Sequence, residues 1–138
     1  MIERALIAGM GSIGKRHLSI LRLLLPNVDL RVLSHRKFKK VPETLNIIEF
    51  EEIFHFQPQI AVIANPSPFH LELASKLMSI GCHILVEKPL SDKVEGVEEL
   101  IKLRNHKNTV AHVGYNLRFD AGLAFFREQI LSKLVGDV

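Results

Sequence analysis

The stretch Ala5-Leu6-Ile7-Ala8-Gly9-Met10-Gly11-Ser12-Ile13-Gly14 decides the fold. Four apolar residues read as a short buried strand, three glycines follow at fixed offsets, and a leucine-rich helical pattern begins near Ser12. Each glycine has a physical reason to stand where it does. Gly9 allows a tight strand-to-helix turn, Gly11 lets the backbone approach a pyrophosphate, and Gly14 permits close packing of helix on strand. The helix then points its free N–H groups and positive dipole end at the phosphates. Glycine-rich loops also make plain turns; the strand before this one and the helix after it favour the dinucleotide-binding reading.

Outward from this turn, apolar runs alternate with amphipathic stretches along the whole chain, the pattern of strands joined by crossover helices in a parallel sheet. Strands are expected at 3–8, 29–34, 46–49, 59–64, 82–86 and 109–114, and helices at 12–25, 49–56, 67–79, 92–106 and 119–134. Pro26-Asn27 closes the first helix, Pro58 precedes the fourth strand, and Gly81 follows the 67–79 helix. Ser67 is a candidate cap for that helix, and Ser91 or Asp92 for the next. Runs such as Ile60-Ala61-Val62-Ile63-Ala64 are apolar at every position, as strands covered on both faces require. The expected fold is α/β, a doubly wound parallel sheet of the Rossmann type that binds its ligand at the carboxyl ends of the strands.

With 138 residues the chain has room for one compact domain. Residues 1–118 are expected to form the nucleotide-binding unit and 119–138 a helix and linker. A composition 47% hydrophobic and 24% charged is that of a soluble globular protein, with no apolar run long enough to span a membrane and no secretory signal at Met1-Ile2-Glu3-Arg4. The single cysteine, Cys82, has no partner for an internal disulfide, and these features together point to the cytoplasm. Much of the net charge of +3 sits in His35-Arg36-Lys37-Phe38-Lys39-Lys40. That cluster reads as a solvated loop or a phosphate contact rather than a nucleic-acid surface, since no nucleic-acid module or interleaved aromatics accompany it. The seven histidines form no recognised ligand pattern, so no metal site is expected.

In a doubly wound sheet the residues just beyond each strand carry the chemistry. The second strand ends in Leu33-Ser34-His35-Arg36, about 20 residues past the glycine turn, where an NAD site usually places an acid on the adenosine ribose. Here Ser34 offers a hydroxyl, and Arg36, with His35 and Lys37, offers positive charge for a 2′-phosphate, so NADP is the preferred cofactor and NAD the second. After the fourth strand, Asn65-Pro66-Ser67-Pro68-Phe69-His70 is a stiffened turn whose His70 either faces the ligand crevice or is a surface or capping histidine. After the fifth, Lys88 in Glu87-Lys88-Pro89 is placed to touch a substrate, the alternative being a surface salt bridge with Glu87. After the sixth comes Gly114-Tyr115-Asn116-Leu117-Arg118-Phe119.

Together, Gly9-x-Gly11-x-x-Gly14-Lys15-Arg16-His17, Asn65-Pro66-x-x-x-His70, Glu87-Lys88-Pro89 and Tyr115-x-x-Arg118-Phe119 resemble the nucleotide-binding half of the glucose-fructose oxidoreductase and inositol dehydrogenase (Gfo/Idh/MocA) family. The glycine turn is common to many folds; Glu-Lys-Pro after the fifth strand is far more specific. The resemblance implies a nicotinamide-dependent oxidoreductase acting on a sugar, cyclitol or related polyol. It implies that Gly9, Gly11, Ser12, Ile13 and Gly14 line the pyrophosphate, that Asn65, Pro66 and His70 border the nicotinamide, and that Glu87 approaches the nicotinamide ribose. Lys88 becomes the catalytic candidate, polarising the reacting oxygen; Tyr115, Asn116 and Arg118 fall on the substrate side. A cis Lys88–Pro89 bond is implied as well.

The family's members carry a second domain that closes the substrate pocket, supplies an acid–base residue and mediates homo-oligomerisation. The chain stops at Leu134-Val135-Gly136-Asp137-Val138, about where that domain would begin, so it is expected to bind cofactor with little or no turnover. Leu123, Phe126, Ile130 and Leu134 fall at helical spacing, either packing on the sheet or forming an exposed stripe that promotes self-association. Against the dehydrogenase reading stands a non-catalytic NAD(P)-sensing module acting through a partner. Lys88 favours the enzyme, because a sensor has no use for it. A nucleotide-independent interaction protein is disfavoured by the intact glycines.

Overall fold

The computed structural model describes residues 2–34 and 46–137, with 46–48 described by their backbone. Six parallel strands, β1 (Arg4–Ala8), β2 (Asp29–Leu33), β3 (Asn46–Ile48), β4 (Ile60–Ile63), β5 (His83–Val86) and β6 (Ala111–Val113), form one sheet in the order β3-β2-β1-β4-β5-β6. The order reverses direction between β1 and β4, which makes the crevice above those two strands the switch point of the sheet. The helices are α1 (Ser12–Leu24), α2 (Ile53–Phe56), α3 (His70–Ser79), α4 (Val97–Lys107) and α5 (Ala121–Leu131).

The central strand explains why the fold forms. In β1, Leu6 and Ala8 point to one face and Ala5 and Ile7 to the other, and all four are buried. The Leu6 face joins the larger core, to which α3 contributes Leu73, Ala74, Leu77 and Met78 at helical spacing. The Ile7 face joins a smaller core with Leu30, Val32 and Val62, on which α1 lays Leu18 and Leu21. Burial pushes the Cys82 thiol, part of the larger core, up to about 12, so it stays protonated at neutral pH.

Differences from the sequence expectations lie at helix ends. The chain turns through a 3-10 segment, Ser67–Phe69, before α3, and its N-cap is Pro66 with no side-chain cap, so Ser67 does not cap the helix. Neither Ser91 nor Asp92 caps α4, which starts at Val97 rather than 92. Ser91 Oγ accepts the Lys93 N–H at 3.1 Å, and Gly96, at φ +88°, turns the chain into the helix. The last helix is shorter than 119–134: a 3-10 turn, Asn116–Phe119, precedes it, and Asp120 caps α5 by accepting the Leu123 N–H at 2.9 Å. The helix α5 has no fully buried residue; of the stripe, Leu123, Phe126 and Leu134 are exposed and Ile130 is half-buried, so most of it stays open to solvent.

Candidate functional site

Parallel register assembles the site. Ala8 pairs with Leu33 and Ile63, Ile63 with Val86, and Val86 with Val113, so the last residues of five strands stand in one row. The next residues, Gly9, Ser34, Ala64, Glu87 and Gly114, form a second row at the carboxyl edge. Backbone bonds from Gly9 N to Leu33 O (2.9 Å), Ala64 N to Ala8 O (2.7 Å), Glu87 N to Ile63 O (2.8 Å) and Gly114 N to Val86 O (2.7 Å) hold it. Segments scattered over 105 positions of sequence thereby become neighbours.

The three glycines serve different needs. Gly9 has φ +97°, and a Cβ there would lie 2.6 Å from the Ala64 carbonyl and the Asn65 nitrogen. At Gly14 a Cβ would run into the Gly9 carbonyl, which is why α1 can cross so close to the turn. Gly11 differs: its φ of −70° suits any residue, and a Cβ would meet no atom of the described residues within 4 Å. The chain's own packing does not ask for glycine at that position. Space kept clear of side chain there is what a ligand pressed against the backbone needs. The N-terminus of α1 beside it has no side-chain cap and no acid in its first turn, so its N–H groups and dipole stay available to an anion. Ser12 and Ile13 are the first residues of that helix, and Ile13 lines the groove described below.

At the β4 end, Asn65 lines the groove described below, and its buried Oδ1 has no hydrogen-bond partner among the described residues. Pro66 is exposed next to it. His70 is only 2% exposed, and its ring nitrogens lie 2.8 Å from the Pro89 carbonyl and 2.7 Å from the Asn65 carbonyl. It is therefore neither a surface nor a helix-capping histidine; it ties the β4 turn to the β5 turn. The Lys88–Pro89 peptide is cis. Lys88 is exposed and lines the groove. The salt bridge to Glu87 is not formed: the Glu87 carboxylate instead bonds His17 Nε2 at 2.7 Å and accepts the Lys88 backbone N–H at 3.3 Å. Sequence reasoning quoted His17 without giving it a contact, since its partner lies 70 positions away.

A groove of about 1000 Å³ opens between α1 and the outer strands. Its floor is the α1-facing side of β4 to β6, including Ile60, Val62, Leu85 and His112. Its upper end holds Asn65, Glu87 and Lys88, with Tyr115, Asn116 and Arg118, all three exposed, along the far wall. The structure thus gathers the candidates from β4, β5 and β6 at one opening, next to the glycine turn. Ser34 is half-buried one residue past β2. The expectations placed on His35, Arg36 and Lys37 fall outside the described residues. Also among the described residues, no helix is long and apolar enough to cross a membrane.

Comparison with known proteins agrees with this geometry. The family model GFO_IDH_MocA, described as an oxidoreductase family with an NAD-binding Rossmann fold, matches residues 3–115. Among curated relatives, 4-carboxy-2-hydroxymuconate-6-semialdehyde dehydrogenase of a Sphingobium strain is 24% identical over 137 residues, covering 94% of this chain and 43% of that protein. Two solved structures share the fold. Myo-inositol 2-dehydrogenase from Lactobacillus plantarum has a TM-score of 0.81 at 22% identity, covering 100% of this chain and 43% of its own. Scyllo-inositol dehydrogenase from Lactobacillus casei, solved with NAD(H) and scyllo-inositol, has a TM-score of 0.77 at 20% identity, covering 99% and 43%. The chain spans less than half the length of each of these relatives.

Proposed function

The chain belongs to the Gfo/Idh/MocA family of oxidoreductases, and from that membership we propose that it is the cofactor-binding half of a dehydrogenase that moves hydride to or from a sugar, cyclitol or related polyol. The observation that carries the reading is Gly11, a glycine that neither its backbone conformation nor its packing against the described residues requires, set beside a helix N-terminus with no side-chain cap among them. Inositol dehydrogenases among the structural neighbours support the substrate class. The bound nicotinamide supplies or accepts the hydride. The backbone from Gly9 to Gly14 cradles the pyrophosphate, and Asn65, at the β4 end of the groove, borders the nicotinamide. The Lys88 ammonium hydrogen-bonds the reacting oxygen and stabilises charge that develops on it, with Tyr115, Asn116 and Arg118 holding the rest of the substrate. Ser34, His35 and Arg36, in place of an acid, support NADP over NAD. The lone, buried Cys82 fits a cytoplasmic setting.

Calorimetric titration with NADPH and NADH tests this. The chain binds NADPH more tightly than NADH, Gly11→Val abolishes both, and Arg36→Ala weakens NADPH selectively. A Cβ at position 11 meets nothing within 4 Å among the described residues, so the variant's circular dichroism and thermal unfolding are expected to match wild type; with that match, its loss of binding reports on ligand space. Failure of the folded wild-type chain to bind either cofactor defeats the proposal; equal losses from Arg36→Ala defeat the NADP preference.

A further inference from the structure

His17 sits on α1, in the turn of helix after Gly14, and the function proposed above leaves it without a task. Its Nε2 lies 2.7 Å from Glu87 Oε1, and both side chains are only 17% exposed. A carboxylate accepts and does not donate, so Nε2 carries the hydrogen of this bond. The other oxygen, Oε2, accepts the backbone N–H of Lys88 at 3.3 Å. On a third side stands Gly114, where a Cβ would sit 3.4 Å from the carboxylate atoms, so the carboxylate lies against this position. Three elements distant in sequence therefore converge on one carboxylate: α1, the turn after β5 and the end of β6. A glutamate on its own would sample several rotamers, and ordering it on ligand binding costs conformational entropy. Held in advance by a charge-assisted hydrogen bond, it meets the ligand already oriented.

We propose that His17 is a positioning residue that presets the Glu87 carboxylate for the ribose next to the reacting end of the cofactor. The inference rests on the cofactor reading above and extends it to a residue that touches no ligand itself. A merely structural strut between α1 and β5 is the competing explanation, and it makes different predictions. A strut supports the whole fold, so its loss weakens every ligand alike; a preset carboxylate matters only to ligands that reach it.

NADH and ADP separate the two, because ADP fills the glycine-turn end of the site and lacks the nicotinamide ribose. Both are titrated against the whole chain and its His17→Ala and His17→Gln variants, with thermal unfolding followed on the same samples. His17→Ala weakens NADH by about two- to tenfold, the cost of ordering one freed side chain on binding, and leaves ADP unchanged. His17→Gln keeps an N–H at similar reach and recovers most of the NADH affinity. Equal weakening of NADH and ADP by His17→Ala, or no weakening of either, overturns the positioning role while the cofactor reading stands. A folded wild-type chain that binds neither NADH nor NADPH, whether or not it binds ADP, defeats the cofactor reading and this inference with it; where NADPH alone binds, NADPH takes the place of NADH in the comparison and the same outcomes decide.

Discussion

The two faces of the sheet are finished differently. On one, α3 lies across β4 and β5 with α4 beside it, and Leu6, Ile63, Leu77, Met78 and Val86 are wholly or almost wholly buried. On the other, α1 covers only the inner strands, and the α1-facing side of β4 to β6 is the floor of an open groove. The alternation of a strand makes the contrast sharp: Ile84 and Val86 of β5 are buried in the larger core while His83, between two buried neighbours, is exposed. The closed face supplies most of the apolar burial that stabilises the domain, and the open face leads up to the site. The helix α5 carries Phe125 at 67% and Phe126 at 54% exposure, a second apolar surface with no cover among the described residues.

Substitutions on the two faces test this contrast. The largest loss is expected at Leu77→Ala, which empties a fully buried site on the closed face and costs about 2–5 kcal/mol in urea unfolding. The matching truncation on the open face, Leu85→Ala, removes a half-buried side chain that already borders the groove and costs about 1 kcal/mol. If Leu85→Ala proved as costly as Leu77→Ala, the groove would be filled in solution and the contrast between the faces would collapse. The smallest change in stability belongs to the double variant Phe125→Ser, Phe126→Ser on α5, which stays within about 0.5 kcal/mol of wild type. It nonetheless lowers binding of an apolar dye, because it removes exposed rings. Dye binding that did not respond would move the exposed apolar surface to the groove floor alone.

Much of this was legible in the chain. The six strands stand close to where apolar runs placed them, most plainly β1, where a strand buried on both faces has to be apolar at consecutive positions, as Ala5 to Ala8 are. Gly9 and Gly14 were readable because the turn they serve is local. Helix starts were harder: Gly96 at φ +88° and the Asp120 cap outweigh Ser91 and Phe119 as boundary signals, and several residue types satisfy the same cap. The pairing of His17 with Glu87 and the double tie of His70 were out of reach for a different reason. Each joins segments whose relative height depends on strand register, and register is a property of the assembled sheet.

By itself, then, the sequence determined a doubly wound parallel sheet with a glycine turn at its first strand, since hydrophobic period and glycine spacing are local and survive without a fold. Only the tertiary structure decided that Gly11 is spare to the packing of the described residues, that Glu87 pairs with the His17 ring rather than the Lys88 ammonium, and that one face of the sheet stays open. Those outcomes depend on which distant side chains the parallel register brings within a few ångströms of each other, and distance in space is what a linear pattern of residue types leaves unstated.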